Sequence, residues 1–211
     1  WNFAGHSMNV LSFDAAIGYG GDPSSVTVQL GKCSDGIPYV SVGEVKTFEY
    51  GSFNFRGIIQ NWEVSKSMSG KTMTVRLVSP VQALKNTTCV LQGVSDIAPF
   101  SGRISSWGSN FFAIDPKTSW CKDFGPTWND IKAAVQGKTI AYPKGGGGNS
   151  RFFVDFNNVG NQVGDLRFDG DSVTLMEAIE RAAAAQGQRV YIKLINSRIK
   201  LFGFSKSSTA V

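Results

Sequence analysis

Apolar and polar positions alternate most regularly over residues 53–80, FNFRGIIQNWEVSKSMSGKTMTVRLVSP. In the second half of this run Met73, Val75 and Leu77 share one parity and Thr72, Thr74 and Arg76 the other. That is the period of two of a half-buried strand. In the first half Phe53, Phe55 and Gly57 share a parity, whereas Ile58, Trp62 and Val64 take the other. The phase therefore slips somewhere from Ile59 to Asn61, as one extra residue in a strand makes it slip. The pattern predicts two long strands joined by a Ser-rich connection over residues 65–71, with Gly70 free to take a positive φ before the sheet resumes. A strand of ten residues spans about 33 Å, long enough to cross a small barrel and protrude.

Weaker periodicities fill in the remainder. Alternation over residues 8–13 and at Val26, Val28 and Leu30 predicts two further strands, separated by a Gly-rich turn at residues 18–23. That turn is no dinucleotide cradle, because Pro23 stands where the third Gly would be and no helix follows. Residues 32–45, broken by Gly31, Gly36, Pro38 and Gly43, read as short strands or an excursion, and 46–50 lead into the hairpin. One helical turn is expected over 81–84 after Pro80, and a short strand over 90–94.

Residues 95–126 show no sustained period. Thr127 and Asp130 then have the spacing of a capping box, and Trp128, Ile131 and Val135 make an apolar stripe ended by Gly137. A strand at 139–141, a glycine run at 145–148 that is either a loop tip or a joint, and a strand at 151–156 follow. Asp171 or Ser172 is expected to cap the clearest helix, with Met176, Ile179 and Ala183 on one face and Gly187 as its stop. A second hairpin turns at Asn196 and Ser197, with Val190, Ile192, Leu194, Ile199 and Leu201 pointing inward. Residues 205–211 trail off in Ser and Thr.

The 24 glycines, 18% charge and 42% hydrophobic content of the 211 residues fit a turn-rich β protein with a real core. No run of about 18 apolar residues encodes a membrane helix, and the first twenty residues do not read as a signal peptide. A start at Trp1 rather than Met suggests a segment of something longer. Cys33, Cys89 and Cys121 read as buried free thiols in a reducing compartment, with one disulfide and a free thiol as the alternative. A sequon at Asn86 has no secretory route to accompany it.

The net charge of +5 is local. Residues 188–211 carry Arg189, Lys193, Arg198, Lys200 and Lys206 and no acid, leaving 16 bases (21 − 5) against 16 acids elsewhere. A strip at Arg189, Lys193, Arg198 and Lys200 is either a solvated face or a contact for phosphates or an acidic partner.

Reactive chemistry is hard to assemble from these residues. His6 is the only histidine, which excludes catalytic triads and multi-His zinc sites, and pairing it with Cys121 would need distant segments to meet. Ser197 and Lys200 have Ser-x-x-Lys spacing but straddle a hairpin turn instead of opening a helix. Asp165, Asp169 and Asp171 lack the later bidentate Glu of a calcium loop, Glu177 coming six residues past Asp171. No basic-aromatic RNA motif is present. The expectation is a protein without catalytic residues, metal or cofactor. Trp107, Phe111, Phe112 and Trp120, in the irregular stretch, are either anchors of a long loop or a partner-contact surface.

The long hairpin carries a resemblance. Phe55-Arg56-Gly57-Ile58-Ile59, the Ser-rich turn with Gly70, Thr72-Met73-Thr74-Val75-Arg76-Leu77 and Ala83-Leu84 together resemble the tail-hub (baseplate hub) proteins of tailed phages. They are also similar to the N-terminal hub domains of spike proteins in related injection machines. Thr174-Leu175-Met176-Glu177-Ala178-Ile179-Glu180 resembles the helix that introduces the second barrel in that family, and so does the exit from Gly187 to Tyr191. The resemblance spans about two thirds of the chain and rests on packing and turn patterns.

It implies a mainly β fold (β+α) of two small β-barrel-like domains with one or two short helices. On that reading residues 1–94 form the first, with the hairpin at 53–80. Residues 95–150 are an irregular insertion with a helix at 127–136, and 151–211 belong to the second, with a helix at 172–186 and a hairpin at 189–204. The implied protein is a homotrimeric ring at the tail tip of a virion, assembled in the host cytoplasm. It would join the tail tube and distal tail proteins to a tip or spike protein, with passive DNA contact in its channel. Two other classes stay open: a carbohydrate- or receptor-binding β module using residues 101–125, and a hydrolase built on converging acids.

Overall fold

In the computed structural model, residues 1–3, 6–19, 21–31, 40–68, 70–90, 111–113, 132, 135–137, 139–145, 147–157, 172–185 and 187–205 are described. The fold is mainly β, with a curled sheet forming half a barrel and a second sheet accompanied by helices. Two compact units divide the chain: residues 1–80 with 142–150, and residues 81–141 with 151–211.

The first unit opens with a two-rung antiparallel pair, β1 (Asn2–Phe3) and β2 (His6–Ser7). Its main sheet contains β3 (Asn9–Ala16), β4 (Ser25–Gly31), β5 (Val45–Tyr50), β6 (Phe53–Ser67) and β7 (Gly70–Val78). The order is β3-β4-β7-β6-β5, and every neighbouring pair is antiparallel. Val26, Val28 and Leu30 on β4 and Met73, Val75 and Leu77 on β7 line one face, joined by Phe48 and Ile59. Aromatic rings close its rim. Trp1 meets Phe48 edge-on with centroids 5.0 Å apart, and its Nε1 donates to the Thr47 carbonyl at 2.8 Å. Phe13 touches Phe48, Tyr50 and Phe53.

The 15-residue strand β6 contains the expected slip: its register with β7 shifts between Ile59 and Asn61, so Gln60 is the extra residue. Trp62 and Val64 thereby face the same core as Phe53, Phe55 and Ile59. Main-chain bonds grip the strand just before the slip, Ile59 N donating to Glu44 O and Ile59 O accepting from Gly43 N, both at 2.8 Å. Two expectations need correction. Ile58 does not join Trp62 and Val64; it lies buried on the opposite face, its ladder partners being Val45 and Val78. The connection is also far shorter than residues 65–71, because pairing runs on to Ser67 and Gly70 and leaves a two-residue turn with Met68 fully exposed.

Gly57 is held to glycine by proximity. A Cβ there would stand 2.7 Å from both the Val78 carbonyl oxygen and the Phe55 ring.

The second unit starts with the short helix α1 (Val81–Lys85), which buries Val81, Ala83 and Leu84. Next come β8 (Thr88–Val90) and β9 (Phe111–Ala113), a parallel pair, with β12 (Ser172–Thr174) antiparallel on the other side of β8. The expectation of irregular chain throughout 95–126 is corrected at β9, which places Phe111 and Phe112 in a strand. The strand predicted at 90–94 is found at Thr88–Val90, and residues 91–94 lie outside the described ones. Of the helix expected at 127–136, Lys132 and Val135 are described and helical, and Gly137 follows at φ 71°.

The larger sheet has the order β10-β11-β14-β13: β10 (Thr139–Pro143), β11 (Asn149–Asn157), β14 (Arg198–Ser205) and β13 (Gln188–Ile195). The glycine run resolves as the turn between β10 and β11, closed by Lys144 N donating to Gly148 O at 3.1 Å. Helix α2 (Leu175–Ala185) runs into β13 and packs along it, burying Leu175, Met176, Ala178, Ile179, Ala182 and Ala183. Its cap is neither Asp171 nor Ser172. Thr174 takes that place, its Oγ1 accepting from Glu177 N at 3.1 Å. Leu175 N is satisfied by the carbonyl of the buried Thr87 at 2.7 Å. Gly187 ends the helix at φ 65°.

Candidate functional site: the outer face of the second sheet

Strand alternation sorts the larger sheet into two unlike faces. Phe152 and Val154 on β11, Ile199 and Leu201 on β14 and Leu194 on β13 are buried. The residues between them point the other way and are exposed or half-buried. Ladder register arranges these outward residues in rows. Phe153 of β11, Arg198 of β14 and Ile195 of β13 make the first; Asp155, Lys200 and Lys193 the second; Tyr191 and Phe202 stand in the third, and Arg189 in the fourth.

All four residues of the predicted basic strip lie on this face. Arg151, on β11, shares its parity and is exposed. Among the described residues of β11, β13 and β14, five cations therefore share the face with one carboxylate, Asp155. Asp155 Oδ2 accepts from Arg198 Nη1 at 2.9 Å. The Arg198 guanidinium also lies 5.0 Å from the Phe153 ring centroid, and Lys193 Nζ 5.2 Å from that of Tyr191. An exposed cation over a ring is held by only about 0.5–1 kcal/mol. A lysine so placed can swing away cheaply, whereas Arg198 has a carboxylate as a second anchor.

Sequence reasoning found the cations and missed the rings between them. Phe153 is 41% exposed and Tyr191 52%, large apolar groups left in water where the other face of the same strands is buried or half-buried. The strict alternation of 189–195 was a usable signal for Tyr191. Nothing local tied Phe153 to it, because the two meet only through β14.

Of the predicted partner-contact residues, Trp107 and Trp120 lie outside the described residues, and Phe111 and Phe112 are placed in β9. Cys33, Cys121, Asp165, Asp169 and Asp171 also lie outside them. Among the described residues no three His, Cys, Asp or Glu side chains converge as metal ligands. No helix of the described residues is long and apolar enough to cross a membrane.

No family model matches the sequence, and no curated protein does. Among solved structures the chain is similar to the E. coli c3393 protein, described as a component of the type VI secretion system with structural similarity to the T4 bacteriophage tail proteins gp27 and gp5. The TM-score is 0.42 at 11% identity, over 96% of this chain and 47% of that one. This chain spans about half the length of that protein.

Proposed function

We propose that this chain is a structural component of a phage-type tail, a hub protein whose two β units build a trimeric ring at the tail tip. The observation that carries the reading is the architecture in sequence order. A curled sheet with a long bulged hairpin comes first, and a helix entering a second hairpin-bearing sheet follows. The motif resemblance implies that succession.

In this role the protein works by shape. The ring joins tube to tip or spike and surrounds the channel through which DNA leaves, and no residue turns over a substrate. A threefold ring closes head to tail, so each protomer offers two different complementary surfaces. Among the described residues β3, β5 and β13 stand outermost in their sheets, where an added strand can extend them.

Light scattering on the purified chain tests the reading. A molar mass three times that of the chain, with co-sedimentation on tail-tube protein, is the expected result. A monomer at all micromolar concentrations that ignores tube protein would overturn it.

A further inference from the structure

We infer that the outer face of the β11-β14-β13 sheet is a binding platform for single-stranded nucleic acid. The inference does not depend on the hub reading. Its basis is the interleaving of exposed rings and cations on one face of a sheet whose other side packs into the core.

Adjacent rows on one face are two residues apart along a strand, about 6.5–7 Å. The row holding Phe153 and Arg198 and the row holding Tyr191 and Phe202 are thus about 13 Å apart, and the Lys193–Lys200 row lies between them. An extended single strand matches this order: flat base faces for the outer rows, and phosphates for the lysines between them. Lys193 leaves the Tyr191 ring at little cost, which frees the ring for a base and the ammonium for a phosphate. Arg198 stays fixed by Asp155 and Phe153, and its planar guanidinium can itself stack against a base.

Charge and ring exposure together select this ligand. An acidic peptide satisfies the cations but brings no flat faces for Phe153 and Tyr191. A duplex hides its base faces inside the stack. A second copy of the chain would present the same five cations and one carboxylate in return, a like-charge contact across the face.

The test uses the full chain and a fluorescein-labelled oligothymidylate of about twelve nucleotides, with anisotropy read at several salt concentrations. Saturable binding is expected, weakened about tenfold by Tyr191→Ala and far less by Tyr191→Phe, which keeps the ring. In the double variant Lys193→Ala, Lys200→Ala the slope of log K against log salt should be shallower by about 1.4, two phosphates at ~0.7 each. All these side chains are exposed or half-buried on the sheet surface, and circular dichroism verifies folding. Four results would each overturn the inference. They are no binding at low salt, equal binding by Tyr191→Ala, equal or tighter binding of a duplex or of polyglutamate, and a change of molar mass in the variants that marks the face as a contact between copies.

Discussion

At the scale of single residues, two positions have consequences that follow directly from distance and burial. Gly57 leaves no room for a Cβ beside the Val78 carbonyl, which the ladder holds in place. Gly57→Ala should therefore destabilise the fold by about 1–3 kcal/mol, as overpacking does, read as a lower urea midpoint. Tyr142 is 5% exposed, and burial raises its phenolic pKa above the usual value near 10. Above pH 10 the unfolded chain thus gives up this proton more readily than the folded one, so stability falls as pH rises toward the folded value. Replacing it with Phe should flatten that alkaline fall and leave the stability profile near neutrality parallel to the original, as chemical denaturation at stepped pH will show.

Among elements, the bulge at Gln60 decides which way half of β6 faces. Deleting Gln60 would remove the extra residue and leave Ile59, Trp62 and Val64 in unbroken alternation on the core face. The deletion variant should therefore keep its core pattern, with a denaturation midpoint close to that of the parent chain. A large fall in that midpoint would mean that the bend made by the bulge itself stabilises the sheet.

This bulge was legible because apolar residues broke parity across it. The face of Ile58 was not, since Gly57 offers no side chain to mark the phase and both faces are buried there. The cap of α2 was misread for a different reason. Asp171, Ser172 and Thr174 all offer an oxygen, and the β12–β8 pairing holds the chain extended until Thr174. Hairpins and helix faces are local patterns that sequence displays; pairings between distant strands are not.

For the molecule as a whole, four of the five cations behind the net charge, Arg189, Lys193, Arg198 and Lys200, gather on one face of one sheet. The sequence located the cations within the chain's last 24 residues, 188–211. It could not show that Phe153 stands beside Arg198, because they are 45 positions apart (198 − 153) and meet through parallel pairing.

That parallel pairing has a consequence in time. β14 joins β13 through a two-residue turn, and β11 follows β10 after a short loop, so each pair can form from its own neighbourhood. The β11–β14 seam must instead close a loop of more than forty residues that includes α2, and contacts of such separation form slowly. During synthesis on the ribosome β11 waits for β14, the last strand among the described residues, to emerge. In refolding from urea, secondary structure should accordingly return before affinity for the oligonucleotide does, because Phe153 and Arg198 occupy separate fragments until the seam zips. Stopped-flow circular dichroism alongside anisotropy will resolve the two phases, and coincident phases would place seam closure among the early events.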